Sequence, residues 1–91
     1  MNDTLGLLEE ARQLALELGY RVREEPLGEL AGGPCTVAGQ RHVLLNLEHG
    51  PAEQLAVLVT ALAADPRVAA EPKSRLLAKR LAAVGDGSGQ R

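Results

Sequence analysis

The chain has 91 residues, 45% of them hydrophobic, 24% charged and 1% aromatic, with a formal net charge of -2. A chain of this length buries about 60 to 65% of its unfolded surface, which leaves room for one core and excludes a second domain, a deep enclosed cleft and a large multi-substrate enzyme. The apolar content is too high for a wholly disordered chain, and no stretch approaches the roughly 18 to 20 apolar residues of a membrane span. The opening MNDTLGLLEE has acids where a signal peptide has a basic segment, so the cytoplasm is the expected location.

With no Phe or Trp, and Tyr20 as the one aromatic residue, the core must be built from Leu, Val and Ala. The same lack removes the rings that stack on single-stranded bases. The single cysteine, Cys35, has no partner for an internal disulfide, which fits a reducing compartment.

Residues 4 to 18 place Leu7, Leu8, Ala11, Leu14, Ala15 and Leu18 at steps of three and four, which predicts an amphipathic helix with Asp3 as N-cap and Gly19 as its left-handed stop. From Tyr20 the period becomes two, and Tyr20 and Val22 alternate with Arg21 and Arg23 until Pro26 and Gly28, a first strand. After Gly32-Gly33-Pro34, the run CTVAGQRHVLLNL reads as a hairpin about Gly39. A loop of three or five residues is expected there. It gathers Cys35, Val37, Val43, Leu45 and Leu47 on the core face and puts Thr36, His42, Leu44 and Asn46 on the other.

Gly50-Pro51 opens the next helix, with Glu53 near its positive end. The uncharged stretch from Leu55 to Ala64 predicts a buried central helix, with Leu55, Leu58, Val59 and Leu62 as its stripe. Asp65-Pro66 ends it. Glu71-Pro72 starts a last helix whose stripe is Leu76, Leu77, Leu81 and Val84, and residues 85–91 are expected to form a flexible tail. The expectation is one α+β domain over residues 1–84. It has an N-terminal helix and a three-stranded, mainly antiparallel sheet, with the buried helix and the C-terminal amphipathic helix on one sheet face.

Charge is uneven along the chain. Residues 1–65 carry 4 basic and 10 acidic side chains, net -6, whereas residues 66–91 carry 6 and 2, net +4. The two parts should attract, and the bases of the last helix read first as a solvated face. Arg67, Lys73, Arg75, Lys79 and Arg80 are candidates for an interaction surface, including one for nucleic acid phosphates.

Cys35 is the candidate nucleophile, but a working thiolate needs a neighbouring cation, histidine or helix N-terminus. In the expected register His42 points away from it, which makes Cys35 a small buried hydrophobe. Cys35, His42 and His49 are spaced by seven and seven, without the close ligand pairs of structural zinc sites, so no metal and no cofactor is expected. The glycines at 28, 32 and 33 lack the lysine and following helix of a phosphate loop, and Glu24 and Glu25 fall on opposite faces of a strand.

The stretch GYRVREEPLGELAGGPCTVAGQRHVLLNLEHGPAEQLAVLVTALA, Gly19 to Ala63, resembles the core of ImmA/IrrE-type zincin-like metallopeptidases: a helix, a G-x-V strand, a glycine turn and a strand ending in Asn before a buried helix. It is also similar to a group of short bacterial proteins sharing the Gly-Gly-x-Cys and glycine-turn pattern. Where that family carries H-E-x-x-H, this chain has Gln54-Leu55-Ala56-Val57-Leu58-Val59-Thr60-Ala61. The resemblance therefore implies a scaffold without zinc ligands or general base. The expected function is a non-enzymatic protein-interaction module, acting as a homo-oligomer or with a protein partner and using in addition Thr36, His42 and Leu44. The alternatives are a Cys35-dependent thiol enzyme or redox sensor, and a nucleic-acid-binding accessory.

Overall fold

The structure is a computed structural model that describes residues 3–88, and of their side chains those up to Val84. Helix α1 spans Thr4–Glu17, and all six residues of the expected stripe are buried. Asp3 holds the N-cap position through its backbone, its carbonyl accepting from Leu7 N at 2.9 Å, while its carboxylate makes no capping bond. At the other end Gly19 adopts a φ of 94°, the amide of Gly19 reaches Leu16 O and that of Tyr20 reaches Ala15 O. This is a Schellman closure, for which a side chain at position 19 would cost roughly 1 kcal/mol.

Three strands follow, β1 (Arg21–Glu25), β2 (Gly32–Val37) and β3 (Gln40–Asn46), in the spatial order β1-β3-β2. β1 runs parallel to β3 and β2 antiparallel to it, so the sheet is mixed rather than mainly antiparallel. The chain physics favours this order. β3 is the most apolar strand and takes the middle, whereas β1 alternates with charges and β2 contains two glycines and Pro34, all features of edge strands. The 26–31 loop carries the chain past the central position, and the hairpin folds β3 back into it.

The hairpin loop is two residues long, not three or five: Val37 pairs with Gln40 and Cys35 with His42. Ala38 and Gly39 both sit at positive φ, 51° and 81°, as a type I′ turn requires. Because side chains alternate with period two, the change of loop length moves all of β2 relative to β3. Val43 and Leu45 face the core, fully buried. Cys35 and Val37 instead share the outer face with His42 and Leu44, and Thr36 pairs with Arg41 on the opposite side. Leu47 lies past the end of β3 and is exposed.

Helix α2 (Pro51–Ala63) buries Leu55, Leu58, Val59 and Leu62 between α1 and the sheet, and Glu53 Oε1 accepts from Gly50 N at 2.7 Å. A short 3-10 helix, Pro66–Ala70, precedes α3 (Arg75–Ser88). Among the described residues α3 packs on α1 and α2 and touches no strand, so it forms an outer layer and does not cover the sheet. Leu77 and Leu81 are buried and Val84 packs against the core, but Leu76 is 49% exposed. The helix starts three residues after Pro72 because Ser74 caps it, its hydroxyl accepting from Leu77 N at 3.1 Å. Ser74 in turn donates from N and Oγ to the Glu10 carboxylate, both at 2.7 Å. No ion pair joins α1 to the bases of α3 among the described residues; the acidic helix meets the N-terminus of α3 instead. The helix reaches Ser88, inside the stretch expected as a tail, and residues 89–91 of that stretch lie outside the described residues.

Candidate functional site

The helices cover one face of the sheet and leave the other open. On the open face the side chains stand in rows set by the register: Arg21, His42 and Cys35 in one, Arg23, Leu44 and Gly33 in the next. Around them lies a shallow hollow of about 320 Å³, lined by Arg23, Glu25, Leu27, Cys35, Val37, His42 and Leu44. A second hollow shares Leu27, Cys35 and Leu44 with the first and continues to Leu30. Together they make an apolar strip from Leu30 to Val37, whose two ends are 69% and 55% exposed.

Cys35 is half-buried and free. Its neighbour across the ladder, His42, is 7% exposed, and its Nδ1 is sealed from solvent without a hydrogen-bond partner. An unpaired buried polar atom costs about 1 to 3 kcal/mol, so the ring is held there against its own solvation. Directly opposed residues have Cβ atoms about 4.5 to 5.5 Å apart, but no hydrogen bond joins the Cys35 thiol to the imidazole. Sequence reasoning separated these two residues; the two-residue turn brings them together. His49 also has a sealed, unpartnered Nδ1 but lies beyond the other end of β3, in the turn before α2. Cys35, His42 and His49 therefore do not converge, and no group of three or more ligating side chains is assembled among the described residues.

Two polar knots that the sequence did not announce lie elsewhere. The Asp65 carboxylate, 4% exposed, accepts from Tyr20 OH at 2.8 Å, from Arg67 N at 2.9 Å and from the Arg67 guanidinium at 2.7 Å, with Arg41 at 3.5 Å. The bonds from Arg67, backed by that from Tyr20, hold the carboxyl far below the usual carboxylate range, although burial works against them. Both arginines also lie over the Tyr20 ring, at 5.9 and 6.0 Å from its centroid. An acid kept ionised in this way is a poor proton donor or acceptor near neutrality, so the cluster is a tie between α2, the 3-10 helix and the sheet. Arg67 is thus tied to Asp65, with its side chain still half-exposed.

The second knot is Asn46, 1% exposed, which donates from Nδ2 to Gly28 O and Leu30 O and accepts from Glu48 N on Oδ1. Its carbonyl accepts from Gln54 Nε2 at 3.0 Å. Asn46 thereby pins the 26–31 loop, and with it Leu27 and Leu30, beside the open sheet face. Ahead of α3, Lys73 donates to Glu71 O, while on the helix Arg75, Lys79 and Arg80 are exposed. Thr36 is exposed on the side of the sheet away from His42 and Leu44, so these three do not form one surface.

No family model matches the chain, and no curated protein or solved structure matches it. No helix among the described residues is long and apolar enough to cross a membrane.

Proposed function

We propose that the protein is a cytoplasmic protein-interaction module whose working form is a homodimer joined through the open face of its sheet. The observation that carries this reading is the uncovered strip formed by Leu30, Leu27, Leu44, Cys35 and Val37, apolar and continuous on a face with no helix over it. The sheet edges are poor alternatives. Pro34 lacks an N–H in the middle of edge strand β2, and the Arg and Glu residues of β1 place charges along the other edge. A second copy fits because the face carries Arg21 at the start of β1 and Glu25, ion-paired with Arg23, at its end. A two-fold axis lying in the interface plane and perpendicular to the strands brings the Arg21 end of one copy to the Glu25 end of the other.

The nucleic-acid reading is weaker, since Arg67 is bound to Asp65 and Lys73 to a backbone carbonyl, which leaves Arg75, Lys79 and Arg80. Light scattering across protein concentration tests the proposal. A dimer that becomes a monomer in Leu30→Glu and in Val37→Glu, with unchanged circular dichroism, is the expected result. A wild-type chain that stays monomeric at the highest concentration, or a dimer indifferent to both substitutions, overturns it.

A further inference from the structure

We propose that a second copy also docks on the outer helical layer, the acidic face of α1 in one chain lying against the basic face of α3 in the other, so that the sheet-face dimers join into longer assemblies at low ionic strength. The joining of dimers rests on the pairing through the sheet; the helix contact stands without it.

Opposite charge is concentrated on these two helices, and the fold leaves it unpaired. Glu9 and Glu17 on α1, and Arg75, Lys79 and Arg80 on α3, are exposed and enter no ion pair or hydrogen bond among the described residues. The one arginine of α1, Arg12, is already held by Glu24. At about 100° per residue, Arg75, Leu76, Lys79 and Arg80 fall within an arc of about 140° turned away from the buried Leu77 and Leu81. The same spacing puts Leu5, Glu9, Leu16 and Glu17 within about 120° on α1, turned away from Leu7 and Ala11. Each face is of one sign with exposed leucine among its charges, Leu5 and Leu16 with the acids and Leu76 with the bases.

The two strips are neighbours. Glu10 holds Ser74 where the helices meet, and a hollow of about 370 Å³ lies at the seam, walled by Thr4 and Leu7 on one side and Leu76, Lys79 and Arg80 on the other. A two-fold axis in the interface plane, running between the strips, lays the acids of each copy on the bases of the other. A second copy therefore satisfies both strips at once, whereas a phosphate backbone would satisfy α3 and be repelled by Glu9 and Glu17. This layer is on the far side of the molecule from the open sheet face, so each sheet-joined dimer keeps two free helical layers. Exposed ion pairs are weak and screened by salt, so the contact forms at low salt and high protein concentration.

The test is sedimentation of the wild type and of Leu30→Glu at about 20 mM and about 500 mM NaCl, the second of which screens exposed charges. The wild type is expected to be a dimer at high salt and to grow beyond two copies at low salt. Leu30→Glu, monomeric at high salt, should dimerise at low salt, with a dissociation constant that rises about tenfold or more on going to about 100 mM NaCl. In the Leu30→Glu background, Arg75→Glu with Lys79→Glu, or Glu9→Lys with Glu17→Lys, should each abolish the low-salt dimer with unchanged circular dichroism. An equal mixture of these two charge-reversed chains should restore it. A Leu30→Glu chain that stays monomeric at low salt overturns the helix contact; so does a low-salt dimer that survives either reversal, or a mixture that stays monomeric. A basic face that serves phosphates instead gives the first of these results together with low-salt binding to a duplex oligonucleotide. The high-salt state reports the sheet pairing and the low-salt state the helix contact, so the two readings fail separately.

Discussion

The Tyr20 hydroxyl donates a 2.8 Å hydrogen bond to the Asp65 carboxylate, joining the chain's one aromatic ring, at the start of β1, to the residue that caps the 3-10 helix after α2. That carboxylate also receives the backbone and guanidinium of Arg67, so its acceptor sites are filled from three directions.

Asp65→Asn is expected to destabilise the fold by about 2 to 4 kcal/mol at neutral pH, since it removes the charge that three buried or half-buried donors converge on. Tyr20→Phe removes one bond and should cost about 1 kcal/mol. The pH dependence has a definite sign. The folded-state pKa of Asp65 lies below that of the unfolded chain, so its contribution is complete above the ordinary carboxylate value of about 4 and is lost as pH falls below it. Asn at this position has no such dependence. Urea unfolding of both chains between about pH 6 and pH 2 should show the gap between them closing toward acid. A gap constant with pH would mean that Asp65 acts by shape and not by charge.

Ala38 occupies the first position of the hairpin turn at a φ of 51°, a conformation that costs a non-glycine residue roughly 1 to 2 kcal/mol unless its side chain bonds locally. Ala38→Asn should therefore raise the unfolding free energy by about 0.5 to 1 kcal/mol, measured by chemical denaturation, without altering the sheet. Ala38→Gly should gain less, because glycine also widens the unfolded ensemble. If Asn destabilises, the turn is not of the I′ type.

That alanine also explains why the hairpin register was the least legible part of the sequence. A two-residue I′ turn is ordinarily announced by Asn-Gly or Asp-Gly, and Ala-Gly carries half the signal. Without it, the apolar character of Cys35 and Val37 pulled them toward the core, and a period of two turned one misplaced residue into a reversed face. The helices read cleanly because five stripe positions in α1, with Leu18 at its cap, and four in α2 constrain their phase together. Leu76 reversed in α3 because a two-turn stripe that packs only on other helices tolerates an adjacent pair of leucines in either order. The parallel pairing of β1 was invisible locally, since nothing in five residues reports which neighbour a strand will take. The Asn46 and Asp65 knots were equally hidden, because each polar side chain is buried by partners distant in sequence.

The contact between the first and last helices is polar and specific. Ser74 caps α3, and Glu10 holds both its amide and its hydroxyl. Ser74→Ala should cost about 1 kcal/mol as a lost cap. Glu10→Gln should cost less than that, because the pair is exposed to solvent. In the double variant the two losses should fall short of additivity by about 0.5 kcal/mol or more, since both act on one network. Strict additivity in a thermal-melt cycle would assign the cap to Ser74 alone.

Asn46 bears most directly on the open face, because its amide holds the Gly28 and Leu30 carbonyls and so fixes the loop whose leucines wall the hollow at Cys35. Asn46→Asp keeps the shape but aims a carboxylate oxygen at two carbonyls, and should cost about 2 to 4 kcal/mol. The loss should be local before it is global. Amides of residues 27 to 31, including Leu30 N, which donates to Leu27 O, should exchange faster in Asn46→Asp, whereas those of α1 and α2 keep their relative protection. With the loop released, Leu27 and Leu30 no longer screen the face, and Cys35 should react faster with a small neutral thiol reagent. Faster exchange confined to the loop, without any change at Cys35, would show that the hollow is shaped by the strands alone.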